Sequence, residues 1–317
     1  MRIFITGASG FVGGACATRL LADGHEVVAM SRSHAADGIL QQVGAKPIRC
    51  DLDTVTEHHL ENIDVVIHCA AYVEDWGPKD AWYRANVVGT TNMVAAASKA
   101  GVPRFIHIGT EAAVCHGQNL VDADESTPLA FDSPYPYCAT KAQAEQCVID
   151  ANTESFVTIV LRPRFIWGPG DTTLLPQIIA LANAGKWIWI DHGAIQTSTT
   201  HIDNLVHGVQ LALTQGRGGQ AYYILDDGTV SMHEMLSGMT ASRGIALPEK
   251  SIPAWLADML GKSGEFIWRT FGLNGAPPLT AHAAMVMSRA CTLRDDKARS
   301  QLGYSPVIAR AEGLARL

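Results

Sequence analysis

No stretch of this 317-residue sequence approaches the ~20 consecutive apolar residues that a membrane-spanning helix needs. Its 24 Lys and Arg do not gather anywhere, and with 31 Asp and Glu the formal charge is −7. Nucleic-acid binding draws on clustered cations that neutralise phosphates, so no nucleic-acid partner is expected. Seven cysteines are present, but none forms a C-x-x-C pair. Their odd number and irregular spacing suggest neither a zinc knuckle nor a disulfide framework. Most lie in apolar runs, where Cys serves as a small core residue, and a reducing cytoplasm is the simplest setting. The opening RIFIT already reads as a strand entering a glycine turn, which excludes a signal peptide. Among the histidines, His58, His59, His68, His107, His201 and His207 show no pair with a carboxylate at metal-site spacing, so no metal is expected. His107 reads as a half-buried strand residue with its hydrogen bonds satisfied.

What the chain does have is apolar bulk, 47% hydrophobic against 17% charged residues, a balance that buries a large core. In the first half, short β-branched runs alternate with helical patterns. Strands are expected at Arg2–Thr6, Glu26–Ser31, Lys46–Cys50, Val65–Cys69, Phe105–Ile108 and Thr158–Arg162, and helices at Val12–Leu21, Thr56–Glu61, Ala81–Ala100 and Tyr137–Ala151. This alternation predicts an α/β fold, a doubly wound parallel (Rossmann) sheet. After Arg162 the pattern loosens at Gly168-Pro169-Gly170, with helices expected at Leu174–Ala184 and Ser231–Arg243. Residues 1–170 are read as a dinucleotide-binding domain. Residues 171–317 are read mainly as a smaller substrate-binding region, partly interleaved with the sheet.

The segment TGASGFVG places Gly7, Gly10 and Gly13 between the first strand and the first helix. The first glycine permits the tight turn, the second lets backbone approach a pyrophosphate, and the third lets helix pack on strand. The helix that Phe11 and Val12 open would stabilise the phosphate charge at its N-terminus. NAD sites usually end the second strand with an acidic residue, but this strand ends in Ser31-Arg32-Ser33. Arg32 with two hydroxyls suits a 2′-phosphate, so NADP(H) is preferred and NAD(H) stays open; a solvated surface arginine is the plainer reading. Asp51, followed by Leu52, could accept from an adenine amino group or cap a helix. Tyr137 and Lys141 stand at Y-x-x-x-K spacing, which puts them on one helix face. A phenol with a pKa of about 10 is a poor base until a cation stabilises the phenolate. Thr110, at the end of the strand FIHIG, is placed to orient a substrate oxygen.

Together TGASGFVG, Asp51-Leu52, HCAA (His68 to Ala71), Asn86, Thr110, Tyr137 with Lys141, and Arg162-Pro163 resemble the extended short-chain dehydrogenase/reductase family. The ending DDKARSQLGYSP carries the resemblance over nearly the whole chain. It implies that Gly7, Gly10 and Gly13 hold pyrophosphate and that Ala70, Ala71 and Pro163 lie beside the cofactor. Tyr137 would be the general acid/base, Lys141 its partner and a ribose ligand, and Thr110 the donor to the substrate oxygen. Asn86 would join a proton relay to Lys141. The pattern departs from many relatives in having Gly109-Thr110 where they carry two serines. Within the family, RPRFIWGPGD and HIDNLVHG resemble the 3β-hydroxysteroid and sterol-carboxylate dehydrogenase branch, with Phe165 where nucleotide-sugar enzymes generally carry Asn.

Residues 172–292 hold no basic cluster, which suggests an apolar substrate, an alcohol or ketone. Trp187, Trp189, Trp255, Leu256, Met259, Leu260, Phe266, Ile267, Trp268 and Phe271 could line its pocket or lid, touch a membrane peripherally near 250–275, or simply pack in a core or dimer contact. By analogy with relatives, helices 81–100 and 137–151 would form a homodimer. A nucleotide-sugar epimerase or dehydratase with retained cofactor, and an NADP(H)-binding sensor without turnover, stay open as alternatives.

Overall fold

The structure is a computed structural model describing residues 1–317, the side chain of Lys79 excepted. Seven parallel strands make the central sheet: β1 (Arg2–Thr6), β2 (Glu26–Ser31), β3 (Lys46–Arg49), β4 (Val65–His68), β5 (Arg104–Ile108), β6 (Val157–Pro163) and β7 (Gln220–Ile224). Their spatial order is β7-β6-β5-β4-β1-β2-β3. All six neighbouring pairs run parallel.

Both faces of the sheet are covered, as parallel sheets require. Ile3, Ile5, Ile106 and Ile159 face one way, into a core completed by α1 (Phe11–Ala22). Phe4, Val66, Phe105 and Val160 face the other, with Met93 and Val148. That alternation is the two-residue period of the strand. It explains why β1 can be apolar almost throughout.

The remaining helices in order are α2 (His34–Gln42), α3 (Lys79–Trp82), α4 (Gly89–Lys99), α5 (Pro136–Asp150), α6 (Leu174–Asn183), α7 (Ile202–Ala212), α8 (Met232–Ala241), α9 (Ala254–Phe271), α10 (Ala281–Ser288), α11 (Asp296–Leu302) and α12 (Arg310–Ala315). The helix expected at 81–100 is α3 and α4 joined through a π-helical stretch, Tyr83–Val88. The expected helix at 56–61 is a 3₁₀ turn, Glu57–Leu60. Strand and helix ends otherwise differ from expectation by a residue or two.

The second half returns to the first. β7 adds to the edge of the main sheet beside β6, and α7 packs under it through Leu205 and Val209. A separate four-stranded sheet joins Leu120–Ala123 with Gln196–Thr197, Val230–Ser231 and Cys291–Leu293. A second apolar core forms around Trp167, Trp189, Met232, Met235 and Met239.

The order reverses between β1 and β4, because the chain moves outward from β1 to β3 on one side and from β4 to β7 on the other. The loops after β1 and β4 therefore diverge and leave a crevice at the carboxyl edge, the usual ligand position in such sheets. Thr6, at the end of β1, ties that point together. Its Oγ1 accepts from the backbone N of Cys69 at 3.1 Å and of Ala70 at 3.0 Å, and it bonds Nδ1 of His68 at 2.8 Å.

No described helix is long and apolar enough to cross a membrane. α9 is amphipathic: Ala257 and Gly261 are buried, while Trp255, Met259, Phe266 and Phe271 are exposed.

Candidate active site

A cleft of about 1120 Å³ opens at the crevice between β1 and β4. It is lined by Gly7, Gly10, Phe11, Val12, Gly13, Arg32, Asp51, Leu52, Ala70, Ala71, Thr110, Tyr137 and Pro163, thirteen positions that sequence reasoning had singled out from seven separate segments. Ser31, Asn86 and Lys141 do not line it.

The glycine turn is shaped for close approach. Gly7 has φ of +69°, a conformation that side chains with a Cβ rarely adopt. A Cβ on Gly13 would run into the Gly7 carbonyl. α1 begins at this turn with no acidic residue in its first turn and no side-chain cap. Its first N–H groups are thus free for an anion. These are features that a dinucleotide pyrophosphate fits, with Gly7, Gly10 and Gly13 as its cradle.

At the end of β2 the two serines have local work. Ser31 Oγ donates to the Ser33 carbonyl at 3.1 Å, and Ser33 caps α2 by accepting from Ala36 N. Arg32 is exposed, faces the cleft, and has no ion-pair partner among the described residues. Asp51 uses Oδ1 to close its own turn, accepting from Asp53 N at 3.0 Å, Thr54 N at 2.8 Å and Thr54 Oγ1 at 2.7 Å. The Thr54 hydroxyl, more than any other neighbour, holds its carboxyl below the ordinary range.

Tyr137 is partly exposed to the cleft at the start of α5. Burial, then the Glu111 carboxylate, pushes its phenol well above the ordinary value, with the Thr110 hydroxyl pulling the other way. Lys141 lies one turn further and is buried. Its Nζ donates to the Ile108 carbonyl at 3.1 Å and stands 3.4 Å from His107 Nε2. Burial lowers this ammonium to about 8. His107 is fully buried, not half-buried, and its Nδ1 has no partner among the described residues. With His68 it forms a stacked pair at 5.3 Å, and burial keeps both rings neutral.

Thr110 was expected to donate toward the substrate oxygen. Thr110 lines the cleft; its hydroxyl donates to Glu111 Oε2 at 2.7 Å and accepts from Ala112 N at 3.2 Å. Gly109 before it has a simple cause: a Cβ there would lie 2.7 Å from Val160 Cγ1 on β6. Asn86 makes no hydrogen bond to Lys141 among the described residues. Its Oδ1 accepts from Tyr72 N at 2.7 Å, and its Nδ2 donates to Tyr72 O at 3.1 Å and Thr140 Oγ1 at 3.3 Å. The amide holds the loop after β4 against α5.

The ten bulky residues offered for a pocket or lid do not line this cleft. Trp187 and Trp189 are buried in the second core, while Trp255, Phe266 and Phe271 face outward. The apolar wall comes instead from Phe11, Ala112, Phe165, Ile166, Leu174 and Val286. Sequence reasoning also missed three polar residues of the cleft. Arg164 is buried and paired with Glu111. His282 meets the Tyr137 ring edge-on at 5.6 Å, and its Nδ1 donates to Asp75 Oδ1 at 2.7 Å. Arg84, which pairs with Asp53 at 3.4 Å, was passed over as well. Only the RPR triplet hinted at any of them; the partners are too far apart in sequence to be read together.

The family model for the 3-beta hydroxysteroid dehydrogenase/isomerase family matches residues 4–254. A 4-hydroxy-2-methyl-3-oxo-4-farnesyl-3,4-dihydroquinoline-1-oxide ketoreductase of Stigmatella aurantiaca is 38% identical, over 100% of this chain and 96% of that protein. A 2-alkyl-3-oxoalkanoate reductase of Stenotrophomonas maltophilia is 36% identical, over 100% and 98%. The crystal structure of a UDP-glucuronic acid 4-epimerase from Bacillus cereus in complex with NAD shares the fold, with a TM-score of 0.76 and 21% identity over 100% and 97%. The chain belongs to the 3-beta hydroxysteroid dehydrogenase/isomerase family, within the extended short-chain dehydrogenases/reductases, and is an NAD(P)-dependent oxidoreductase of alcohols and ketones.

Proposed function

We propose that this enzyme interconverts a secondary alcohol and a ketone on a bulky, apolar, steroid-like substrate, with NADP(H) preferred and Tyr137 as acid/base. The observation that carries the reading is one continuous cleft, running from the glycine turn to Tyr137 and walled by Phe165, Ile166 and Val286. Gly7, Gly10 and Gly13 would hold the cofactor's pyrophosphate, Arg32 its 2′-phosphate, and Ala70, Ala71 and Pro163 its flank. A bound nicotinamide supplies or accepts the hydride.

The chain's own residues do the rest. In reduction the Tyr137 phenol gives its proton to the substrate oxygen as charge develops there. Lys141 is the cation nearest along the helix face and would stabilise the phenolate left behind. The ketone substrates named for the two relatives, one farnesylated and one 2-alkylated, support an apolar wall as the recognition surface. The helix spanning 81–100 and α5 are read as the contact between two copies, and residues 171–317 as mainly substrate-side.

The test is a screen of hydroxysteroids and bulky ketones with NADP(H) and NAD(H) in parallel. Turnover with NADPH is expected, with Tyr137→Phe losing at least a hundredfold in rate while keeping cofactor affinity. Equal rates in that variant would overturn Tyr137 as acid/base. Arg32→Asp is expected to raise the KM for NADPH at least tenfold and leave that for NADH nearly unchanged. Purified protein that holds its cofactor and shows no net consumption would point to an epimerase instead.

A further inference from the structure

His282 stands at the Tyr137 end of the cleft, and the roles above do not use it. It comes from α10, and its side chain is 15% exposed. Its ring meets that of Tyr137 edge-on at 5.6 Å and that of Tyr135 at 5.8 Å. It lines both the main cleft and a small inner cavity beyond it, together with Glu111, Arg164 and Val286. Asp75, on the loop after β4, takes one of its two ring nitrogens at 2.7 Å. A carboxylate only accepts, so Nδ1 carries the proton. The other nitrogen, Nε2, makes no hydrogen bond among the described residues.

Fastening the loop is a weak reason for this pair. The Asn86 amide already holds the loop at Tyr72, and Trp82 Nε1 holds it at the Glu74 carbonyl, 3.0 Å away. Arg269 holds it a third time, with its guanidinium 4.2 Å from the Trp76 ring centroid. The Asp75 side chain is 49% exposed, and a contact so open to water adds little to stability. What the carboxylate does is set the tautomer and orientation of the ring, which leaves Nε2 as its unpaired nitrogen.

We propose that His282, oriented by Asp75, is a second substrate-binding residue: its Nε2 recognises a hydroxyl carried one or two carbons from the carbonyl that Tyr137 serves. The substrate class is then a bulky α- or β-hydroxyketone, or the matching diol in the reverse direction. This rests on the reading of Tyr137 given above. The chemistry of Nε2 selects the hydroxyl. It offers a lone pair when the ring is neutral and an N–H when the ring is charged, and a hydroxyl pairs with both. A carbonyl or carboxylate pairs only with the charged ring. A carboxylate would also stand near those of Asp75 and Glu111, while Arg164 and Arg289 are already paired with Glu111 and Asp258. The spacing follows from the rings. Two side chains in edge-to-face contact hold two oxygens of one skeleton only when those oxygens are close neighbours.

The test separates the two ring nitrogens. In His282→Asn the side-chain amide takes the place of Nδ1, so the Asp75 bond stays and Nε2 is gone. In His282→Gln the amide reaches the place of Nε2 and gives up Nδ1. The probes are α-tetralone and its α-hydroxy derivative. Their kcat/KM is measured with NADPH, and their Kd by calorimetry on protein saturated with NADP⁺. Wild type should favour the hydroxyketone roughly tenfold in both. His282→Asn should lose that preference with α-tetralone itself unchanged, and His282→Gln should keep most of it. The reverse order, with the preference kept in Asn and lost in Gln, would overturn the proposal, since a mere tether between α10 and the loop predicts it. So would a wild type indifferent to the hydroxyl, or an Asn variant weakened equally toward both ketones. Were no ketone of the screen turned over, the reading of function would fail. The calorimetric preference would still decide the role of His282, with absence of binding counting against it.

Discussion

Phe165 has φ of +48°, in the left-handed region that a bulky residue occupies at a cost of about 1–2 kcal/mol. Strain of that kind persists where the surroundings enforce it, and it gathers at ligand sites. Phe165 packs against the second core and lines the same cleft as Tyr137. Phe165→Asn would relieve the backbone and delete the apolar wall. The expected result is an unfolding free energy within about 1 kcal/mol of wild type, with KM for an apolar ketone raised roughly tenfold. Unchanged KM would show that this ring does not meet the substrate.

Lys141 raises a question of sign. Burial holds its ammonium at about 8 in the folded chain, below the ordinary lysine value of about 10.4 in the unfolded one. A base depressed by folding costs stability while it is charged. That cost is fully present below about pH 8 and is relieved as pH rises toward the unfolded value. Lys141→Met should therefore unfold at a Tm no lower than wild type at pH 7. Its advantage should shrink between pH 8 and pH 10, while turnover is lost. A variant less stable by the same margin at both pH values would contradict the account.

Among the elements, the turn from β1 into α1 is the most exacting. It brings the Gly13 position against the Gly7 carbonyl, leaving no room for a methyl group. Gly13→Ala is expected to lower the unfolding free energy by about 2 kcal/mol through overpacking and to weaken dinucleotide binding at least a hundredfold, both measurable by calorimetry. Wild-type affinity would mean that the turn yields and that its tightness is not what binds. The helix formed by α3 and α4 carries the same lesson differently. Its π-helical stretch contains Asn86, whose amide clamps Tyr72. An extra residue per turn re-aims one side chain without breaking the helix, and an α-helical period could not have foretold it.

At the scale of the molecule, the two halves are joined through Asp226. This buried carboxylate, just beyond β7, accepts from Trp167 Nε1 at 2.8 Å, Thr199 Oγ1 at 2.6 Å, His201 N at 2.7 Å and Asn204 Nδ2 at 2.7 Å. Asn204 in turn takes the backbone N–H groups of Val307 and Ile308, which fastens the C-terminal segment. Asp226→Ala strands several buried donors at once. A loss of about 3–5 kcal/mol in chemical denaturation is expected, with Asp226→Asn losing less. A loss under about 1 kcal/mol would mean that the halves are held by apolar packing alone.

The sequence by itself determined what depends on neighbours along the chain. The alternation of β-branched runs with helical periods specified a parallel sheet, the glycine spacing specified a turn open to backbone approach, and Y-x-x-x-K put a phenol and an amine on one helix face. Each of these is local, set by a repeat of two residues, of 3.6, or by the absence of a Cβ. Only the tertiary structure decided which charges meet. Glu111 and Arg164 stand on different elements, as do Asp75 and His282, and their pairing comes from packing that no spacing encodes. The same holds for Trp187 and Trp189, apolar in any reading, which the fold spends in a core and not in the cleft. Burial is a property of the folded surroundings, and it is burial that separates a core residue from a wall and a salt bridge from a solvated charge.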